Sequence, residues 1–205
     1  MSVQRQSWPR RLHSLTGVVP VGVFVAFHLW ENSTAARGAD AYNEMARRLQ
    51  ELPFAVAMEV LLILLPLLYH GVYGLFVSST ARPDVAAGPF VRRWMFFLQR
   101  LTGTVVFAFV LFHLWTTRLV QLTDHRELDL FRQVQAAVAN PWIFAFYVAG
   151  ILSATYHLSS GIWSFSLVWG LAVAPRARRR MGWACVLVFL ALSWIGLSGI
   201  RAFRM

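Results

Sequence analysis

Between Ala57 and Val77 the chain reads AMEVLLILLPLLYHGVYGLFV, an apolar run about as long as the ~20 residues a spanning helix needs, with a histidine, His70, well inside it. Including this one, five such segments emerge, at 14–32, 55–79, 95–117, 141–169 and 183–202. Lipid offers backbone N–H and C=O groups no partner, so runs like these fold as helices. The expected fold class is an all-α membrane protein with five transmembrane helices, a single integral membrane domain over residues 1–205. The fourth run is long enough to tilt or to project beyond the bilayer. Only 14% of residues are charged and 58% are hydrophobic, which leaves no soluble domain of useful size. Residues 1–30 also have the basic start and apolar stretch of a signal peptide. We read them as retained, because they carry His28, which the histidine pattern below requires.

The links between the runs set the orientation. The amino terminus (Arg5, Arg10, Arg11), the second link (Arg82, Arg92, Arg93) and the fourth (Arg176, Arg178, Arg179, Arg180) hold ten arginines against one acid, Asp84. The first and third links balance their arginines with acids: Asp40, Glu44 and Glu51 in one, Asp124, Glu127 and Asp129 in the other. By the positive-inside rule the amino terminus is cytoplasmic and the carboxyl terminus outside, in a multi-pass protein of the inner (cytoplasmic) membrane surrounded by lipid. The net charge of +10 is thereby explained by topology, and with no lysine in the chain we expect no nucleic-acid partner. The lone Cys185 can form neither an internal disulfide nor an iron–sulfur cluster.

A buried imidazole in hydrocarbon is costly unless its ring nitrogens are taken up. Two weak internal repeats supply partners for His70. LTGVVPVGVFVAFHLW (Leu15 to Trp30) is similar to LTGTVVFAFVLFHLW (Leu101 to Trp115), and LLYHGVYGLF (Leu67 to Phe76) to ATYHLSSGIWSF (Ala154 to Phe165). Helices one and three therefore carry His28 and His113 near their outer ends. Helices two and four carry His70 and His157 some 15 residues in, about 22 Å below the outer surface at 1.5 Å per residue. Four histidines thus form two pairs, separated vertically by ~12–15 Å.

Two histidines facing each other at one depth of a helix bundle can supply both axial ligands of a haem iron, so the expected bundle encloses two haem groups. Gly74 and Gly161, four residues after His70 and His157, and Gly17 and Gly103, about three turns below His28 and His113, are expected to let a flat macrocycle approach the backbone. Zinc or copper sites would bring ligands within a turn of each other or add carboxylates or thiolates, and no such cluster is visible. Histidines that only bond between helices, or that line a transport pathway, are the other readings.

Three more residues are candidates. Glu59, an acid about three turns above His70, is read either as a proton-exchanging group near the outer pair, at what the family resemblance given below implies is a quinone site, or as an acid favoured at a helix start. His13 is assigned to haem propionate contacts, to the quinone contact or subunit docking that the same resemblance implies, or to an ordinary surface position. Arg100 is read as a propionate partner or as a snorkelling anchor. Pro66 is expected to kink helix two and help aim His70.

At these residues the chain resembles the cytochrome b subunit of succinate:quinone oxidoreductases, of the one-chain, five-helix, two-haem kind. RLHSLTG at Arg11 to Gly17, HLW at His28, ARGADAYN at Ala36 to Asn43, LPLLYHGVYG at Leu65 to Gly74, RRWMFFLQRLTG at Arg92 to Gly103 and FHLWTTR at Phe112 to Arg118 carry the resemblance. It implies an outer haem b on His28 and His113 and an inner haem b on His70 and His157. It also implies a place in a succinate dehydrogenase or fumarate reductase of the respiratory chain and tricarboxylic acid cycle. There the chain would anchor a flavoprotein subunit and an iron–sulfur subunit on the cytoplasmic side, with a membrane quinone, menaquinone by family habit, as substrate. A higher oligomer of the whole complex is compatible with it. The alternative within the same class is a dihaem subunit of another respiratory oxidoreductase.

Overall fold

The computed structural model describes residues 7–80, 90–120 and 129–205, with side chains from 93 in the second of these stretches. Arg5, Arg82, Asp84, Asp124 and Glu127, used above for orientation, lie outside the described residues, as does the side chain of Arg92. Among the described residues five helices are long and apolar enough to cross a membrane: Trp8–Arg37, Ala55–Thr80, Arg93–Leu119, Pro141–Val168 and Pro175–Ala202, here the first to fifth spans.

The ends of these spans have local causes. The first begins at Trp8, six residues before the apolar run, because Pro9 suits a helix start and the chain is helical through Arg10 and Arg11. It is interrupted at Val19, before Pro20, whose ring lacks the N–H that would continue the ladder. It closes in a 3₁₀ turn, Ser33–Arg37, and stops at Gly38, whose φ of 100° is left-handed territory. The fifth begins at Pro175, eight residues before its apolar run, with Pro175 at the first helical position and the arginines 176–180 in its opening turns. Asn140 caps the fourth span by accepting from the N–H groups of Trp142 and Ile143.

The first four spans form a ring, second against first, third against second, fourth against third and first; the fifth packs outside it, against the first and fourth. Small residues make that outer seam. A Cβ on Gly196 would meet Ile151 at 2.7 Å and Leu29 at 3.0 Å, and one on Gly199 would meet the backbone of Asn32 at 3.3 Å. At the seam Thr155 and Ser193 share a buried hydroxyl hydrogen bond of 2.8 Å.

The first and third links fold as surface helices, Ala39–Gln50 and Leu130–Ala139, on the side where the chain also ends. Asn43 joins them, donating to Asp129 at 2.8 Å and accepting from the Phe131 N–H at 3.0 Å. Phe203, 1% exposed, packs edge-on against Tyr42 and at a tilt against Phe131, and with Ala35, Val138, Tyr147 and Ile151 forms the main apolar core. The side of the molecule where acids balance the arginines is therefore covered by two packed surface helices. The N–H of Arg132 and the Asn43 amide hold the Asp129 carboxyl below the usual carboxylate range.

Candidate functional site

The four histidines of the repeats meet in two pairs. His70 and His157 face each other with ring centroids 6.1 Å apart, His28 and His113 with centroids 5.8 Å apart, each pair nearly crossed, at 82° and 65°. A metal ion held by one nitrogen of each ring, at about 2.0–2.1 Å, would set the centroids about 6 Å apart. Both pairs have that spacing. Among the described residues no three of His, Cys, Asp and Glu converge as a metal site. Each pair offers two imidazoles, a set that fits haem iron with two axial histidines.

The inner pair is held by backbone. The Nδ1–H of His70 donates to the carbonyl of His13, and the Nδ1–H of His157 to the carbonyl of Gln99, each at 3.0 Å. A carbonyl can only accept, so both rings carry their proton on Nδ1 and keep Nε2 as a free lone pair. A ligand histidine is commonly fixed in this way by the group behind it.

The repeat now acquires a three-dimensional meaning. Gly17 and Gly103, each four residues beyond the accepting carbonyl, are where these rings lie: a Cβ on Gly17 would collide with the His70 ring, and one on Gly103 would stand 2.8 Å from Cε1 of His157. Gly74 leaves room in the same manner for His13, whose ring would be 3.0 Å from an added Cβ. The space at three of the four glycines is filled by imidazole, in place of the flat macrocycle expected there. Gly161 is the open one, with the Gln99 amide 3.8 Å away.

His13 stacks flat on His70, centroids 4.1 Å apart and 8° between planes. It therefore belongs to the inner group and is no ordinary surface residue. Gln99 is its counterpart in the third span and donates back to the His157 carbonyl at 3.2 Å. Among the described residues the buried Nδ1 of His13 and Oε1 of Gln99 have no hydrogen-bond partner, nor has Nε1 of Trp169, beneath the Arg11 guanidinium. All three orphans lie toward the arginine-rich end, the kind of polar gap that a group held between the spans would fill. Arg100 lies over the Phe96 ring and reaches the Val77 carbonyl at 3.5 Å.

Side chains hold the outer pair. Glu31 stands 3.6 Å from Nδ1 of His28, the Asn32 amide lies 3.3 Å from both ring nitrogens, and Tyr42 donates to Asn32 at 3.1 Å. His113 meets the Tyr147 hydroxyl at 3.4 Å. Phe24 and Phe109 stack on His28 and His113 from one turn below in the same spans.

Glu59 is not an isolated acid. Arg118 grips it with two bonds, Nε at 2.7 Å and Nη2 at 2.6 Å, joining the second and third spans. Glu59 opens one π-helical turn, Glu59–Leu64, and Arg118 lies within another, Trp115–Leu119. Such one-turn widenings recur at functional sites, and here each re-aims a charged side chain toward its neighbour. Sequence reasoning counted Arg118 only as a link charge and overlooked Gln99, Glu31 and Tyr147. For Gln99 a signal was present: it precedes its glycine by four residues, as His13 precedes Gly17.

The family model described as the succinate dehydrogenase/fumarate reductase transmembrane subunit matches residues 87–196. The chain is 42% identical over 204 residues to the succinate dehydrogenase cytochrome b558 subunit of Bacillus subtilis (strain 168), covering 99% of this chain and all of that one.

Proposed function

The chain belongs to the succinate dehydrogenase/fumarate reductase transmembrane subunits, of the cytochrome b kind, and from that premise we propose that it holds two haems b and links soluble partners to a membrane quinone. His28 and His113 would hold the outer haem, His70 and His157 the inner. The observation that carries this reading is the near-equal spacing of the two imidazole pairs, 5.8 and 6.1 Å, on spans related by repeat. Haem bound there would supply reversible one-electron redox chemistry.

The residues of the chain do the rest. The carbonyls of His13 and Gln99 orient the inner imidazoles; Gly17 and Gly103 let them seat. His13 and Arg100, with the Trp169 N–H, lie toward the arginine-rich end as candidates for the anionic edge of the inner group. That basic face suits docking of an iron–sulfur subunit and a flavoprotein subunit on the cytoplasmic side of the inner membrane. Glu59, held by Arg118 and about a quarter exposed, is the candidate for exchanging protons with the quinone, menaquinone by family habit, near the outer pair.

A reduced-minus-oxidised spectrum of the purified complex, with haem counted per chain, tests the reading. Two b-type haems per chain are expected. One haem, or no b-type α band, overturns it.

A further inference from the structure

Glu31 has no part in the proposed function beyond its place beside His28. It sits one turn beyond His28 on the same face of the first span, with its side chain 15% exposed and its carboxylate 3.6 Å from Nδ1. That distance is too long for a hydrogen bond but short for a charge. Among the described residues no arginine pairs with it, whereas the acid of the second span, Glu59, is neutralised by Arg118. The negative charge beside the outer pair is therefore that of Glu31.

The internal repeat isolates this charge as a feature of one ligand. HLWEN follows in the first span where HLWTT follows in the third, so the place of Glu31 is taken by Thr116 beside His113. Thr116 turns its hydroxyl back to the Phe112 carbonyl at 2.9 Å. The inner pair has neutral carbonyls behind both rings. The field of Glu31 also reaches Tyr42, whose phenol is raised above its ordinary range by burial first and then by this carboxylate.

We propose that Glu31 tunes the outer haem through His28, holding its reduction potential down. This rests on the reading that His28 and His113 bind a haem. The reasoning is electrostatic: the oxidised iron carries one more positive charge than the reduced, so a fixed carboxylate behind an axial imidazole favours the oxidised state. A negative charge near Nδ1 also makes the imidazole a stronger electron donor, which acts in the same direction. The Asn32 amide, fastened by Tyr42, keeps the ring edge in place, so the charge and the ring hold a fixed relation.

Potentiometric titration of the whole complex, followed in the α band, tests this. In Glu31→Gln one of the two waves moves up while the other stays. The ferrous-to-ferric ratio of that component rises about three- to tenfold at fixed ambient potential, tenfold being about 59 mV for one electron. Glu31→Asp stays near the parent potential. Thr116→Glu, which puts a second carboxylate in the equivalent place beside His113, moves the same wave down. If Glu31→Gln fails to assemble, Thr116→Glu decides. Two haems per chain with both waves unmoved overturns the role of Glu31 and leaves the haem reading standing. Fewer than two haems in the parent complex overturns the haem reading itself.

Discussion

A glycine and an imidazole explain each other at the inner pair. His70 and His157 can approach the first and third spans closely enough to donate to their carbonyls because Gly17 and Gly103 offer no side chain there. We expect Gly17→Val or Gly103→Val to displace one ring and reduce haem from two per chain to one, counted by the pyridine haemochrome. Gly161→Ala, whose Cβ meets only the Gln99 amide, should keep both. The spacing of these glycines was legible in the repeat, but not what fills them, since the filling ring comes from another span. Glu59 gives a second expectation at this scale. Glu59→Gln should retain both haems while quinone reduction by the complex falls at least about tenfold, because a positioned proton donor contributes about 10²–10⁴. Unchanged turnover would remove Glu59 from the reaction.

Among the elements, the second and third spans depart from plain helices near their outer ends. Their π turns lie at the outer mouth and bring Glu59 and Arg118, 59 residues apart in sequence, into one ion pair. The Gln133 amide of the outer surface helix satisfies the Thr116 carbonyl within the second of these turns at 2.9 Å. The fifth span has another task, bracing the first and fourth from outside the ring. Gly196→Leu would push into Ile151 and Leu29. We expect it to cost about 1–3 kcal/mol by overpacking, seen as a lower unfolding temperature in detergent, with the α-band spectrum of the folded protein unchanged. Loss of haem without loss of stability would show instead that the fifth span shapes the haem sites.

For the molecule as a whole, sidedness follows from one closed end and one basic end. The two surface helices and the buried Phe203 cover the side where acids balance the arginines, while the described arginines of the fourth link, Arg176, Arg178, Arg179 and Arg180, crowd the other. In a Cys185→Ala background, Arg204→Cys should react with a membrane-impermeant maleimide added to intact cells and Ser7→Cys should not. The reverse pattern would invert the orientation, and with it the side on which soluble partners dock.

Hydropathy and the histidine repeat determined the number of spans and which histidines share a level, while the arginine counts give the expected sidedness. Those properties depend on what each residue is and how far along a helix it lies: apolar length sets a span, arginine counts set sidedness, and a rise of ~1.5 Å per residue sets depth. Pairing by level could not say what stands behind each ring. Only the tertiary structure decided that backbone carbonyls hold the inner imidazoles, that Glu31 and Asn32 flank His28, and that Arg118 neutralises Glu59. All but the Glu31 and Asn32 contacts join different spans, and even those depend on a rotamer that packing selects. The rotation of one helix about its axis against the next is set by side-chain fit, which is a property of the pair of surfaces and is written in neither sequence segment alone.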